Sequence, residues 1–229
     1  CIRDSIIPVK GDDEEISRTY MALWKSHHAY PVNFHAIPNP VSVEGNKTIA
    51  YEILEQLNWN TPDFVVVPTG FGEDLSGEWE GFKDFYNVGF VNSLPLMIAS
   101  QAKGADPLAR AVKEGYDYVP LIKKLVNTIA GPIKAALSTY RALLAIKESK
   151  GYVVSVSDEE ILYAMNLLAK MEGLFVEPAS ASSIAAIKRL VEEKKIDKDD
   201  RIVCILTGSG LKSRAEISKK IASSKGLKA

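Results

Sequence analysis

The chain of 229 residues carries 28 basic and 29 acidic residues, a net charge of −1, and is 46% hydrophobic. This near-neutral balance gives no electrostatic reason to expect nucleic acid or an anionic membrane as a partner. No apolar run approaches the roughly 18 residues that a membrane-spanning helix needs, and the charges at Arg3, Lys10 and Asp12 interrupt any apolar core of a secretory signal.

Short apolar runs rich in β-branched residues alternate along the chain with amphipathic stretches. The predicted strands are 6–8, 32–36, 64–67, 96–99, 152–154, 174–176 and 202–206. The predicted helices lie near 13–28, 44–57, 75–87, 132–148, 157–171, 180–194 and 211–223. This alternation is typical of a parallel sheet covered by helices on both faces. We therefore predict a doubly wound, mostly parallel α/β fold, incomplete at its N-terminus, that binds ligands at the carboxyl ends of its strands.

Helix boundary signals support this division. Ser157 followed by Glu160 is a capping box, and Gly173 is placed to end the same helix. Pro132 suits the first turn of the helix predicted near 132–148.

The cysteines and histidines bear on compartment and metal binding. Cys204 lies in the apolar run Arg-Ile-Val-Cys-Ile-Leu, and with Cys1 it forms no disulfide framework, which predicts a core thiol in a reducing cytoplasm. His27, His28 and His35 lack acidic or cysteine partners at ligand spacing, so no metal site is expected. Because the sequence starts with Cys rather than Met, close to an apolar segment, we expect it to be cut from a longer chain.

The first of three strand-to-helix junctions reads Phe64-Val-Val-Val-Pro-Thr-Gly-Phe-Gly-Glu-Asp-Leu-Ser-Gly. Gly70 and Gly72 let the backbone curl so that successive amides converge, and the following helix adds positive potential at its N-terminus. Such a turn binds phosphate without a basic side chain. A tight turn with two glycines also occurs for purely structural reasons, so both interpretations stay open here.

The other two junctions carry polar side chains at strand ends. Five small residues around Ser180 open a helix, either to pack closely on the sheet or to place the Ser180 hydroxyl beside a ligand. Glu177 ends an apolar strand, where a carboxylate needs a partner. Thr207 ends another buried strand just before Gly208 and Gly210. Its hydroxyl could donate to a ring nitrogen or simply cap the turn.

Taken together, these junctions resemble those of the threonine synthase family, which are fold type II pyridoxal-phosphate enzymes. The matching segments occur in the family's order: 39–48, 68–83, 128–130, 156–161, 173–181 and 206–212. The resemblance implies a homodimer, a small amino-acid substrate, and conversion of O-phosphohomoserine and water to threonine and phosphate, with the cofactor as electron sink. It also implies that 1–35 are a remnant of the smaller domain and 36–229 the large cofactor-binding domain.

The resemblance further implies a set of cofactor-binding residues. They are Gly70, Phe71, Gly72, Glu73, Asp74, Glu177, Ser180 and Thr207. The first five form the turn whose amides would hold the cofactor phosphate. Thr207 would meet the pyridine nitrogen, and Glu177 and Ser180 would line the pocket.

The sequence departs from the family at two positions. The family's phosphate turn usually reads Gly-Asn-Gly-Gly-Asn, whereas here Glu73 and Asp74 take the last two places. A carboxylate ~5 Å from a phosphate dianion, at an effective dielectric constant of ~20, costs several kcal/mol. In the alternative interpretation Asp74 caps the helix and Glu73 faces solvent. Ser42 stands where the family often has an arginine that grips the substrate phosphate.

The family's cofactor-bonding lysine belongs to a Ser-Phe-Lys-Asp segment that this sequence does not contain. Phe82-Lys83-Asp84 matches it by letters alone, and we predict that Lys83 is a surface residue. No catalytic residue is therefore assigned, and the 229 residues are expected to be inactive alone. The alternatives are an amino-acid dehydratase of the same fold, or a non-catalytic homologue that binds a ligand or partner.

Overall fold

The computed structural model describes residue 10 and residues 13–27 and 41–213. The chain divides into two compact units, Cys1–Ser42 and Val43–Ala229. In the first unit, helix α1 spans Asp13–His27. The strands predicted at 6–8 and 32–36, and the part of the last predicted helix beyond 213, lie outside the described residues. The assignment of 1–35 and 36–229 to two domains remains a prediction.

The other elements build the second unit, whose first helix begins two residues before the unit boundary. In chain order they are α2 Val41–Gln56, β1 Phe64–Pro68, α3 Glu73–Asn87, β2 Leu96–Ala102, α4 Pro107–Lys113, α5 Tyr140–Ser149, β3 Tyr152–Val156, α6 Asp158–Met171, α7 Pro178–Glu192 and β4 Ile202–Cys204. Two 3-10 turns span Gly131–Ile133 and Gly210–Ser213. Within the described ranges, no helix has the length and apolar character to cross a membrane.

The four strands form one parallel sheet in the order β3-β2-β1-β4. Phe64 of β1 lies opposite Leu96 on one side and Ile202 on the other. Every residue of β1 is buried, as expected for a parallel strand covered on both faces. The predicted doubly wound α/β fold is confirmed.

Two hydrophobic cores lie on opposite faces of the sheet because side chains alternate along each strand. Val66 packs with residues of α6 and α7 in one core. Val65 and Val67 pack with residues of α3 and α5 in the other. Both faces of the sheet are therefore covered by helices, and its edges carry the junctions between strands and helices.

The predicted boundaries of α6 are confirmed. The Ser157 hydroxyl accepts from the amide of Glu160, and the Glu160 carboxylate accepts from the amide of Ser157 at 2.7 Å. Gly173 adopts a φ of 68° just after the helix, a conformation that glycine reaches without strain.

The helix predicted near 132–148 is wrong in its first half. Pro132 lies in a 3-10 turn, and α5 begins only at Tyr140, where the Thr139 hydroxyl caps it by accepting from Ala142. Two residues before α5 bond instead to the turn after β1: Ser138 donates to the Gly70 carbonyl, and the Thr139 amide donates to the Phe71 carbonyl. These contacts hold the segment out of a helix.

The strand predicted at 174–176 is also wrong. In this segment only Val176 forms a bridge, an antiparallel one with Ser209. The amides of Glu177 and Gly210 bond to the carbonyls of Gly208 and Phe175 across the same pair of segments. The segment therefore pairs with the loop after β4 and not with the parallel sheet.

Helix α4 was not predicted. Its N-terminal amides at Leu108 and Ala109 both donate to the Gln101 side-chain oxygen at 3.0 Å. The cap therefore comes from β2 and not from the adjacent Asp106, whose side chain makes no capping bond.

Candidate functional site at the carboxyl edge of the sheet

The turn after β1 opens the N-terminus of α3 at the carboxyl edge of the sheet. Gly72 is the N-cap, with a φ of 96° and no side-chain capping bond. The first intrahelical bond from this end runs from the Ser76 amide to the Gly72 carbonyl. The amides of Glu73, Asp74 and Leu75 therefore have no acceptor within the helix and point out of its end. Such an end favours an anion.

The carbonyls of this turn are held by side chains and backbone from two other segments. Ser138 donates to the Gly70 carbonyl at 2.6 Å, and the Thr139 amide donates to the Phe71 carbonyl at 2.7 Å. The Gln101 side-chain amide donates to the Thr69 carbonyl at 3.3 Å. In a trans peptide the N–H points opposite to the preceding C=O. The N–H groups that follow these carbonyls are consequently directed away from the 138–139 segment.

Close packing makes glycine necessary at the N-cap. A Cβ at Gly72 would lie 2.4 Å from the Cβ of Ala142, and its left-handed φ would strain any other residue. The conformation of the turn is therefore determined by the approach of α5 to α3.

The sequence suggested that Asp74 caps the helix and Glu73 faces solvent, and the structure shows neither. Glu73 is buried and does not face solvent, and the N-cap is Gly72 and not Asp74. The Asp74 carboxylate instead accepts from the Asn46 side chain of α2 at 2.9 Å. Desolvation of this carboxyl raises the pKa of Asp74 although part of the residue is exposed.

A third carboxyl lies one turn further along α3. Glu78 is fully buried, and neither of its side-chain oxygens has a hydrogen-bond partner among the described residues. Burial, and secondly the charge of Asp74, raise the pKa of Glu78 well above its ordinary value. The sequence did not single out this residue, whose environment depends on how α3 packs.

The structure brings Glu177, Ser180 and Thr207 together. The Thr207 hydroxyl lies 3.1 Å from Oε1 of Glu177 and 3.0 Å from the Ser180 hydroxyl. The Ser180 oxygen accepts from the amide of Gly208 at 2.9 Å. Glu177 and Ser180 are buried, whereas Thr207 is exposed. Thr207 is thus the member of this cluster that an incoming ligand can reach.

Lys212 is the partner that the Glu177 carboxylate requires. Its Nζ lies 3.3 Å from Oε2 of Glu177. The ion pair needs the glycine at position 208, since a Cβ there would lie 2.5 Å from Oε1 of Glu177 and 2.6 Å from Nζ of Lys212. The sequence motif included Lys212, but only the fold places it against Glu177.

The glycine turn and the Glu177–Ser180–Thr207 cluster share one edge of the sheet. β1 and β4 are hydrogen-bonded parallel neighbours, so the turn that follows β1 and Thr207 after β4 extend from adjacent strands in the same direction. The eight residues singled out by the sequence therefore form two groups at one edge, one offering backbone donors and the other hydroxyl and carboxylate groups.

Lys83 lies about three turns along α3 from the glycine turn. Its Nζ is 2.8 Å from Glu80 and 3.0 Å from Glu148, and it lies 5.7 Å from the ring centroid of Trp79. Its charge is engaged in a surface network. No group of three or more His, Cys, Asp or Glu side chains in the described part of the chain could hold a metal ion.

Comparison with known proteins identifies a protein family and individual proteins that this chain is similar to. The family described as pyridoxal-phosphate dependent enzyme matches residues 4–208. Threonine synthase of Methanocaldococcus jannaschii is 47% identical over 210 residues, which are 90% of this chain and 51% of that protein. Threonine synthase of Methanosarcina acetivorans is 37% identical over 211 residues, with the same coverage of 90% and 51%. The chain spans about half the length of these curated relatives.

Solved structures share the fold at lower identity. A threonine deaminase from T.th. superposes with a TM-score of 0.67 at 22% identity, covering 87% of this chain and 62% of that one. Serine racemase from Dictyostelium discoideum superposes with a TM-score of 0.63 at 27% identity, covering 85% and 57%.

Proposed function

Since the chain belongs to the family of pyridoxal-phosphate dependent enzymes, we propose that it forms the cofactor-binding part of a threonine-synthase-like enzyme. The reaction is conversion of O-phosphohomoserine and water to threonine and phosphate. The observation that carries this proposal is the 47% identity to a threonine synthase over 90% of the chain. We place the enzyme in the cytoplasm, in keeping with the free thiol of Cys204.

The glycine turn would hold the cofactor phosphate. The donor set fits, because the amides at the N-terminus of α3 lack a side-chain cap and attract an anion. The carboxyls of Glu73 and Asp74 oppose a dianion when ionised. The Asp74 carboxylate accepts a hydrogen bond from the Asn46 side chain, which offsets part of that repulsion.

The second group would orient the ring of the cofactor. Thr207 would meet the pyridine nitrogen, and Glu177 and Ser180 would hold the Thr207 hydroxyl in place through the bonds of 3.1 and 3.0 Å. Bound pyridoxal phosphate supplies an electron sink for bonds at the α-carbon of an amino acid. The residues of this chain supply position and hydrogen bonds.

Two other functions have support from particular observations. The fold shared with a threonine deaminase at 22% identity favours an amino-acid dehydratase, although this identity is less than half of that to threonine synthase. Glu73, Asp74 and Ser42 in place of the family's usual residues favour a non-catalytic homologue that binds a ligand or partner.

The test is a titration of the purified chain with pyridoxal phosphate and, in parallel, with pyridoxal, followed by equilibrium dialysis and visible absorbance. We expect saturable binding of the phosphorylated form, at least about tenfold tighter than pyridoxal, because charge-assisted hydrogen bonds contribute about 1.5–3 kcal/mol each. Inorganic phosphate should compete. Borohydride reduction and peptide mapping would reveal any lysine that is bonded to the cofactor.

The outcomes separate the candidates. Equal affinity for pyridoxal and its phosphate would show that the turn does not hold the phosphate. No binding of either compound would overturn the proposed function in favour of the non-catalytic homologue. If the cofactor binds, a change in its visible absorbance on addition of O-phosphohomoserine, but not of serine or threonine, favours the synthase over the dehydratase.

A further inference from the structure

A polar cavity lies at the amino edge of the sheet, opposite the edge that carries the candidate cofactor site. Its volume is about 380 Å³. The residues that line it belong to three segments that each lead into a strand: Trp59, Asn60, Thr61 and Asp63 before β1, Asn92 and Ser93 before β2, and Asp199 and Arg201 before β4. Every lining residue except Trp59 is polar or charged. Because such walls offer hydrogen bonds and charges but little apolar surface, the cavity favours a small polar or charged ligand.

Hydrogen bonds between the three segments fix the walls of the cavity. The Asp63 amide donates to the Arg201 carbonyl at 2.9 Å, and the Arg201 amide donates to Oδ2 of Asp63 at 2.7 Å. The Thr61 hydroxyl donates to the Ser93 carbonyl at 3.0 Å. The segments before β1, β2 and β4 are thus tied to one another. A site formed in advance loses less free energy on binding than one that the ligand must order.

Trp59 forms a rigid part of the wall. Its ring packs against those of Phe85 and Phe90, with centroids 5.2 Å apart in each pair. Asn58 and Trp59 adopt the left-handed backbone conformation, with φ of 52° and 62°, which is uncommon for residues other than glycine. The Trp59 amide donates to the Leu54 carbonyl at 2.7 Å, and this bond holds the turn that places the ring beside the cavity.

Charged groups of both signs line the cavity without a partner. The guanidinium of Arg201, the carboxylate of Asp199 and the side-chain amide of Asn92 make no hydrogen bond or ion pair within the described part of the chain. Asp63 uses Oδ2 for the Arg201 amide, and its Oδ1 is left for a ligand. A simple anion would be repelled by the two carboxylates, and a simple cation would be repelled by the guanidinium. A ligand that carries both charges is attracted by both sets of groups.

We propose that this cavity binds the zwitterion of a free α-amino acid. The amino acid's carboxylate would accept two parallel hydrogen bonds from the guanidinium of Arg201. Its ammonium group would donate to Asp199 and to Oδ1 of Asp63, with the side chain beside the Trp59 ring. An α-amino acid joins its two charged groups through one carbon, and the bonds between Asp63 and Arg201 hold the matching charges of the protein on adjacent segments. This site is separate from the one that would hold the cofactor.

Equilibrium dialysis of the full, cofactor-free chain against radiolabelled glycine tests the proposal. The cofactor is left out because its aldehyde reacts with amines. At constant ionic strength we expect saturable binding of glycine, and at least about tenfold weaker binding of acetate and of methylammonium, which each carry one of its two charges. Arg201→Gln should weaken glycine binding at least about tenfold, and Asp199→Asn should weaken it too. Arg201→Lys should recover only part of the affinity, because lysine lacks the planar pair of donors.

Arg110→Gln is the matched control. Arg110 is an exposed arginine of α4 that does not line the cavity, so its replacement should leave glycine binding unchanged. An unaltered circular dichroism spectrum of Arg201→Gln would show that this variant is folded. Three results would each overturn the proposal: no saturable binding of glycine, unchanged binding in both Arg201→Gln and Asp199→Asn, or equal affinity for acetate and glycine. None of them bears on the proposed function, which pyridoxal-phosphate binding tests separately.

Discussion

Glu78 is a single residue whose burial should control the pH dependence of stability. It is fully buried on α3, close to Asp74 on the same helix. Gly77 and Gly81 bring this helix so close to α2 that a Cβ at either position would lie under 3.0 Å from backbone or side-chain atoms of α2. The charged residues of α2 nearest to this contact are Lys47 and Glu44, which pair with each other at 2.9 Å. On the other side of α3, Glu148 of α5 accepts from Trp79.

We predict that Glu78→Gln stabilises the chain as the pH rises toward neutrality. The folded-state pKa of Glu78 is raised above its ordinary value of 4.5 by burial and then by Asp74. The folded chain therefore holds the proton more tightly than the unfolded one. The contribution of protonated Glu78 to the free energy of unfolding is complete below pH 4.5 and is lost as the pH rises through the folded-state pKa. Glutamine cannot ionise and removes this loss.

Urea unfolding at a series of pH values tests this prediction. Glu55→Gln, on the exposed side of α2, is the matched control and should follow the unaltered chain at every pH. Parallel curves for Glu78→Gln and the unaltered chain would contradict the prediction.

Cys204 should be chemically inert while the chain is folded. Burial raises the pKa of its thiol to about 12, and the thiolate is the reactive form. We expect alkylation by iodoacetamide at neutral pH to leave Cys204 unmodified until denaturant is added, as measured by peptide mass mapping. Rapid modification of the folded chain at this residue would mean that β4 opens readily.

At the scale of elements, the junction between β1 and α3 depends on Gly72. We predict that Gly72→Ala destabilises the chain by about 2–5 kcal/mol, because a left-handed alanine costs about 1–2 kcal/mol and the overlap with Ala142 adds about 1–3 kcal/mol. Gly45 in α2 provides the control, since nothing lies within 4 Å of a Cβ there. Gly45→Ala should stabilise by about 0.5–1 kcal/mol.

Midpoints of denaturant unfolding measure both variants. Equal midpoints for Gly72→Ala and the unaltered chain would show that α5 can move away from the turn at little cost. In that case the glycine would not be needed to shape the candidate phosphate site.

The sequence predicted those elements whose signals are local. The strands β1 to β4 follow from apolar runs, α6 follows from its capping box, and the ordered motifs led to the family resemblance that the comparisons confirmed. The failures involve contacts that the local sequence pattern does not show. Ser138 and Thr139 bond to the turn after β1, Phe175 and Val176 pair with the loop after β4, and α4 is capped by Gln101.

In the candidate site, too, the sequence predicted the local features but not the contacts between segments. Its turn and hydroxyls could be named from sequence because strand ends and glycines mark them. The pairing of Lys212 with Glu177 could not, since these residues are 35 positions apart and meet only when the loop after β4 pairs with the segment before α7.

At the scale of the whole molecule, large apolar side chains remain exposed in the segments that precede Glu177 and follow Thr207. Met171 and Leu211 are 70% and 74% exposed, and Leu174 and Phe175 are nearly half exposed. Phe175 packs its ring where a Cβ of Gly210 would otherwise lie, which joins the segment after α6 to the last 3-10 turn. We call these four side chains the 171–211 patch.

We predict that the chain forms a homodimer and that the 171–211 patch contributes to the contact. Exposed apolar area is unfavourable in water by about 25 cal/mol per Å², and exposed apolar surface often marks association sites. Light scattering over a wide concentration range should give twice the mass of one chain. Leu211→Ser should shift the equilibrium toward the monomer, whereas Val88→Ser, which removes a 70% exposed side chain on α3's C-cap, should not. A single-chain mass at every concentration would contradict the dimer, and equal effects of the two substitutions would remove the patch from the contact.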